Sequence, residues 1–212
     1  MLIPSPLLSC FPSDKKNSSI IDLGCGNGRT MAALSSLGYI NVEGCDLDTN
    51  KIEVALARNI NVKAADALEF LLSKSHGSID CILCVDFLEH IPKSAIESYI
   101  AAISTKLRSG GTFISRMPNP DSPFFARDYF NDPTHQWCYT LDAFTLILKQ
   151  HNLVYGRTID GRLNSIKKCR ILLIPLTYIS RLLFAILMIF LGVTHRFNTA
   201  ISPSVWHVVY KE

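Results

Sequence analysis

The stretch Ile20-Ile21-Asp22-Leu23-Gly24-Cys25-Gly26-Asn27-Gly28-Arg29-Thr30 constrains this chain more than any other. Two β-branched apolar residues lead into an acid, then into alternating glycines, then into the start of a helical pattern. That order predicts a buried parallel strand, a tight turn and a helix opening behind it. The glycines let the backbone turn sharply and let a ligand approach where a Cβ would collide. Free N–H groups at the helix start can meet polar or anionic ligand atoms. The spacing is G-x-G-x-G, so neither the dinucleotide pattern G-x-G-x-x-G nor the phosphate pattern G-x-x-x-x-G-K-[ST] is present. Asp22 at the strand end would repel a pyrophosphate and suits a ligand carrying ammonium and sulfonium charge.

Downstream, the same strand–acid–helix order recurs. Met31, Leu34 and Leu37 keep helical spacing, and Gly38 closes that helix. Ile40 to Asp46 reads as a second strand whose terminal acid, Asp46, lies about twenty residues past the glycines, where it can accept from a ribose diol. Asp48 competes for that role but is better placed to cap the helix from Asn50 to Arg58, with Ile52, Val54, Ala55 and Leu56 near its buried side. The stretch Val62 to Ala67 gives a short third strand with an acid, Asp66, just past its end, which also suits an N-cap for Ala67 to Leu72. Ile79 to Val85 is a continuous apolar run fit for the middle of a parallel sheet, followed by Asp86-Phe87-Leu88-Glu89-His90-Ile91-Pro92. A helix from Ser94 to Leu107, a turn at Gly110-Gly111 and a strand from Thr112 complete five strand–helix units. Such a succession implies a doubly wound, mostly parallel α/β sheet with right-handed crossovers.

These motifs, in this order, resemble those of the class I S-adenosylmethionine-dependent methyltransferases, over about two-thirds of the chain. The resemblance implies a Rossmann-like fold with helices on both faces and an antiparallel last strand. It implies S-adenosyl-L-methionine as cofactor, with Asp22, Gly24, Cys25, Gly26 and Gly28 at its aminoacyl end. Asp46 with Leu47 would take the ribose, Asp66 with Ala67 the adenine, and Asp86 would border the methyl group. The x-E-H-x stretch after the fourth strand is common among small-molecule methyltransferases. The Asn/Asp-Pro-Pro-aromatic motif of enzymes acting on nucleic-acid bases is absent, which argues against a nucleic-acid acceptor.

Residues 121–139 form a polar, aromatic, proline-interrupted connection, too long to be filler in a compact domain. Asp132-Pro133-Thr134-His135 within it resembles a D-x-T-H segment of methyltransferases found with sugar and polysaccharide modification. A histidine over the cleft could take a proton from an acceptor hydroxyl, which makes His135, with Asp132, the candidate base. His90 joins the candidate catalytic set, the other reading being that Glu89 and His90 hold the loop and the helix start. The competing reading has His135 and Asp132 pin the loop to the helix that Thr140 caps. Trp137, Tyr129, Phe124 and Phe125 either line an acceptor pocket or form the loop's own small core.

The net charge of +3 is too small to favour nucleic acid as partner. Seven cysteines, an odd number with several in apolar strands, read as free thiols of a reducing compartment. Cys81 and Cys84 would point to opposite faces of one strand, so no metal-ligand set is read from the sequence. Residues 1–19 form a short leader whose prolines and late lysines do not suit a secretory signal. The domain spans 20–160 and is completed by a final strand within 205–212.

Between them, residues 161–204 form an insertion rich in basic and apolar residues: Arg162, Lys167, Lys168 and Arg170, then Ile171 to Val193. Arg181 in mid-run would cost about 2.5–3.5 kcal/mol in a bilayer core, and Pro175 breaks the first half. The chain must also return to the sheet. A helix or helical pair lying in the interface meets both constraints, with residues 161–195 as a peripheral membrane contact on the cytoplasmic side; a true span or burial in a dimer are the alternatives. The expectation is methyl transfer to a hydroxyl of a small-molecule, glycan or lipid-linked acceptor. A lipid-soluble phenol such as a quinone precursor, or a non-catalytic cofactor-binding subunit, are the other readings. Oligomeric state is not legible.

Overall fold

A computed structural model of the protein describes residues 3–122, 124–160, 179, 183, 186 and 202–212. Its centre is a seven-stranded sheet of order β3-β2-β1-β4-β5-β7-β6. The strands are β1 (Ile20–Leu23), β2 (Val42–Asp46), β3 (Val62–Ala64), β4 (Ile79–Val85), β5 (Leu107–Pro118), β6 (Leu153–Asp160) and β7 (Ser204–Lys211). The first five run parallel, and β7 runs antiparallel to both β5 and β6. The doubly wound sheet with a reversed last strand thus matches the sequence expectation.

Helices cover both faces. α1 (Ser5–Leu8), α2 (Arg29–Ser36) and α3 (Thr49–Leu56) pack on one, and α4 (Ala67–Leu72), α5 (Ile96–Lys106) and α7 (Leu141–Gln150) on the other. The period-two alternation of β4 divides its side chains between two cores. Cys81 and Leu83 join Leu7, Met31, Leu34 and Trp206, while Ile82 and Cys84 join Phe70, Ile100, Phe113 and Phe144. Cys81 and Cys84 therefore sit on opposite faces, and the six described cysteines are all free thiols. Asp48 and Asp66 cap α3 and α4, each accepting from two backbone N–H groups.

The structure corrects several boundaries. Ile40 stands outside β2 and is 74% exposed, and Val54 and Leu56 face solvent on α3, which buries only Ile52 and Ala55. The Gly110-Gly111 turn lies inside β5, where the register against β4 shifts between the Ile79↔Leu107 and Cys81↔Thr112 pairs. A 3₁₀ turn at Lys93–Ala95 precedes α5. The connection 121–139 carries a short helix of its own, α6 (Phe125–Phe130). Trp137 belongs to the main core: it is 5% exposed and its Nε1–H donates to the Ile91 carbonyl at 3.1 Å. Its indole closes the loop onto the domain.

Most of the insertion 161–204, with the expected membrane contact at 161–195, lies outside the described residues. Ile179, Leu183 and Ile186 are helical and exposed at 53%, 62% and 41%. Among the described residues no helix is long and apolar enough to cross a membrane.

Candidate active site

Strand order reverses around β1, which has β2 on one side and β4 on the other. At such a switch point the loops leave the strand tips in opposite directions and open a crevice at their carboxyl ends. A cleft of about 550 Å³ lies there, lined by Asp22, Gly24, Cys25, Gly26, Asp46, Val85, Asp86, Phe87, His90, Asp132 and Thr134 among others.

One wall is the glycine turn. Gly24 (φ +68) and Gly28 (φ +74) both take left-handed backbone that other residues resist. A Cβ on Gly24 would drive into the Phe87 ring, and one on Gly28 into Ile60. Gly26 N–H donates to Asp46 Oδ2 at 2.8 Å, and Asp48 N–H to Asp46 Oδ1 at 2.9 Å, so the tip of β2 is fixed against the turn. Asp22 is 1% exposed and its Oδ1 has no hydrogen-bond partner. Burial first, and the Asp46 charge second, push its carboxyl up to about 7. An orphaned, half-protonated carboxyl facing a cleft is a group waiting for a donor or a cation.

The opposite wall comes from the β4 tip and the connection after β5. Asp86 adopts left-handed backbone (φ +51) and pairs with Arg116 Nη1 at 2.5 Å. Val85 and Arg116 are register partners on β4 and β5, which is why residues thirty apart meet. Asp132 Oδ1 accepts from Thr134 N–H at 2.9 Å and from Thr134 Oγ1 at 2.6 Å, and Thr134 Oγ1 lies 2.9 Å from His90 Nδ1. Burial, then the neighbouring His135, hold the His90 imidazole below its ordinary pKa, so it is neutral at physiological pH. Glu89, 2% exposed, has its carboxyl raised to about 8, chiefly by burial.

The structure brings Asp22, Gly24, Cys25, Gly26, Asp46, Asp86, His90 and Asp132 to one cleft. Gly28, Leu47, Asp66, Ala67 and His135 are not among its lining residues. Gly28 supports the turn from behind, Leu47 is 72% exposed beside Asp46, and Asp66 with Ala67 opens α4 nearby. His135 stands behind His90, ring centroids 4.8 Å apart, its Nδ1 2.8 Å from the Tyr129 carbonyl. His90, not His135, therefore borders the cleft. Sequence reasoning missed Thr134, Phe87 and Arg116. Thr134 was signalled by its place between Asp132 and His135, whereas Arg116 depended on strand register that no local pattern reveals.

The model of the methyltransferase-domain family matches residues 2–156. A ubiquinone biosynthesis O-methyltransferase of Cupriavidus pinatubonensis is 36% identical over 102 residues, covering 45% of this chain and 40% of that protein. A protein of the same description from Colwellia psychrerythraea is 37% identical over 108 residues, covering 46% and 42%. The chain thus spans about two-fifths of the length of the curated relatives it matches. In fold it is similar to a SAM-dependent methyltransferase of Archaeoglobus fulgidus (TM-score 0.69, 17% identity, 98% of this chain and 92% of that one). A phosphoethanolamine N-methyltransferase of Haemonchus contortus, solved with S-adenosyl-L-methionine, gives a TM-score of 0.66 at 20% identity, over 97% of this chain and 51% of that one. With the family match extending from the N-terminal segment through the glycine turn and the five parallel strands into β6, the chain belongs to the methyltransferase-domain family.

Proposed function

We propose that the protein transfers the methyl group of S-adenosyl-L-methionine to a hydroxyl oxygen of a small, lipid-soluble or lipid-linked acceptor. One observation carries this reading: the cleft at the β1 and β4 tips joins bare glycine backbone to the orphaned Asp22 carboxyl and the fixed Asp46 carboxylate. These residues fit the cofactor. Asp22 Oδ1 lacks a donor that an ammonium, directly or through water, would supply, and Gly24 without a Cβ lets the Phe87 ring close against the turn as a wall of the cleft. Asp46, already held by two N–H groups, would accept from a ribose diol, and Asp66 with Ala67 would flank the adenine.

The bound cofactor supplies an electrophilic methyl on a positively charged sulfur, for which alignment matters more than strong acid–base chemistry. Asp86, clamped by Arg116, and Phe87 shape the wall where the acceptor oxygen would approach. His90 presents a neutral imidazole there, oriented by the Asp132–Thr134 chain.

The names of the curated relatives favour a phenolic hydroxyl on a lipid-soluble quinone precursor. The Asp132–Thr134–His135 segment at the cleft mouth keeps a sugar hydroxyl as the second reading. Both acceptors are found at membranes. A peripheral contact is supported by the insertion, which holds six Lys and Arg and no acid between Gly161 and Ser204. The exposed apolar triplet Ile179, Leu183 and Ile186 at helical spacing supports the same contact.

Incubation with methyl-labelled S-adenosylmethionine and a membrane extract tests the reading. The expected product is a labelled O-methyl group on a quinone-type phenol or a glycolipid. Absence of cofactor binding by calorimetry, or label appearing on nitrogen or carbon, would overturn it.

A further inference from the structure

Behind the acceptor wall three side chains meet that no local sequence pattern joins. Glu89 and His90 follow β4, His135 lies forty-five residues on, and one potential ligand atom from each lies within 4.8 Å of the others. Glu89 is 2% exposed and its Oε2 has no hydrogen-bond partner. The hydrogen bonds settle both tautomers. Thr134 Oγ1 gives its proton to the Asp132 carboxylate at 2.6 Å, so toward His90 it can only accept, and His90 Nδ1 carries the hydrogen. A carbonyl also only accepts, so His135 Nδ1, 2.8 Å from the Tyr129 oxygen, carries its hydrogen too. In the neutral rings both Nε2 atoms are then left with bare lone pairs. Histidines that ligate metals are held in this way, by a donated bond from the other ring nitrogen.

We propose that Glu89, His90 and His135 bind a divalent transition-metal ion of the zinc class at the acceptor side of the cleft. Two imidazole nitrogens and one carboxylate oxygen suit zinc-like ions, whereas Mg²⁺ and Ca²⁺ prefer sets made of oxygen alone. Three protein ligands leave a coordination position open. His90 lines the cleft, so an ion held by the three would lie at the edge of that cleft. An ion there would tie the connection 132–139 to the β4 tip and would lower the pKa of a hydroxyl brought against it. The ion's role at the acceptor rests on the proposed O-methyl transfer; its binding does not.

The test is calorimetric titration of the chelator-treated full-length protein with ZnCl₂, beside parallel titrations with MgCl₂ and with S-adenosylmethionine. One Zn²⁺ per chain is expected, with affinity at least tenfold above that for Mg²⁺. His135→Gln and Glu89→Gln should each weaken zinc at least tenfold. Should Glu89→Gln fail to fold, His135→Gln, in a surface connection, still decides, and so does the visible spectrum of Co²⁺ added in place of zinc. No zinc binding, or equal binding by wild type and His135→Gln, overturns the site. If zinc fails while S-adenosylmethionine binds, the cation site alone falls; if the cofactor fails while zinc binds, only the methyl-transfer reading falls.

Discussion

Gly24 and Phe87 occupy one space: the ring of Phe87 fills the position a side chain on Gly24 would need. The contact joins the β1 turn to the β4 tip, the two loops that frame the cleft. Gly24→Ala meets both this ring and an unfavourable left-handed backbone. It is expected to cost about 1–3 kcal/mol of stability and to weaken S-adenosylmethionine binding at least tenfold. Denaturant unfolding and calorimetry read the two effects separately.

Asp22 makes cofactor binding depend on pH. Its folded carboxyl is raised to about 7 by burial, from an ordinary value of 3.8. In linkage terms, its contribution to folding is fullest below about 3.8 and is lost as pH rises through about 7. A cationic ligand favours the ionised form, so affinity for S-adenosylmethionine should rise as pH increases from 6 to 8, with a proton released on binding near neutrality. Asp22→Asn should weaken binding and flatten that rise in calorimetric titrations across the same range.

Trp137 holds the connection after β5 to the domain. Trp137→Phe keeps most of the buried area but leaves the Ile91 carbonyl, on a residue only 7% exposed, without its donor. A loss of about 1–3 kcal/mol is expected in denaturant unfolding. Limited proteolysis should cut within 121–139 faster than in the wild type.

His207 lies on β7 against the rings of Phe144 and Tyr155, buried, and that burial holds its imidazole down at about 4. The native state keeps it neutral while the unfolded chain takes up a proton near 6.5. Stability is therefore lost as pH falls from about 6.5 toward 4, by roughly 3 kcal/mol. Asp22 and Glu89, raised to about 7 and 8, act with the opposite sign over that range. The comparison that isolates His207 is with His207→Phe: between pH 7 and pH 4 the wild type should lose roughly 3 kcal/mol relative to the variant.

Much of this protein is local in origin and therefore legible in the chain. The run Ile20–Leu23 before three spaced glycines can bury its backbone only as an inner strand that turns sharply, and β1 and α2 are the result. Asp48, Asp66 and Thr140 cap helices because a short polar side chain beside free N–H groups has that use wherever it occurs. The alternation within β4 sends Cys81 and Cys84 to different faces by covalent geometry alone.

Tertiary structure decided what depends on register and on distant packing. Trp137 could have lined a pocket or filled a core, and the Ile91 carbonyl, forty-six residues away, made it core. Arg116 meets Asp86 because β4 and β5 pair in one register. His90 faces the cleft with His135 behind it because the connection after β5 folds back over the β4 tip, burying Glu89 beneath both. Hydrophobic pattern and turn chemistry set which segments become strands and helices. Which side chains then share a wall is fixed by packing between segments far apart in sequence, and no single segment carries that information.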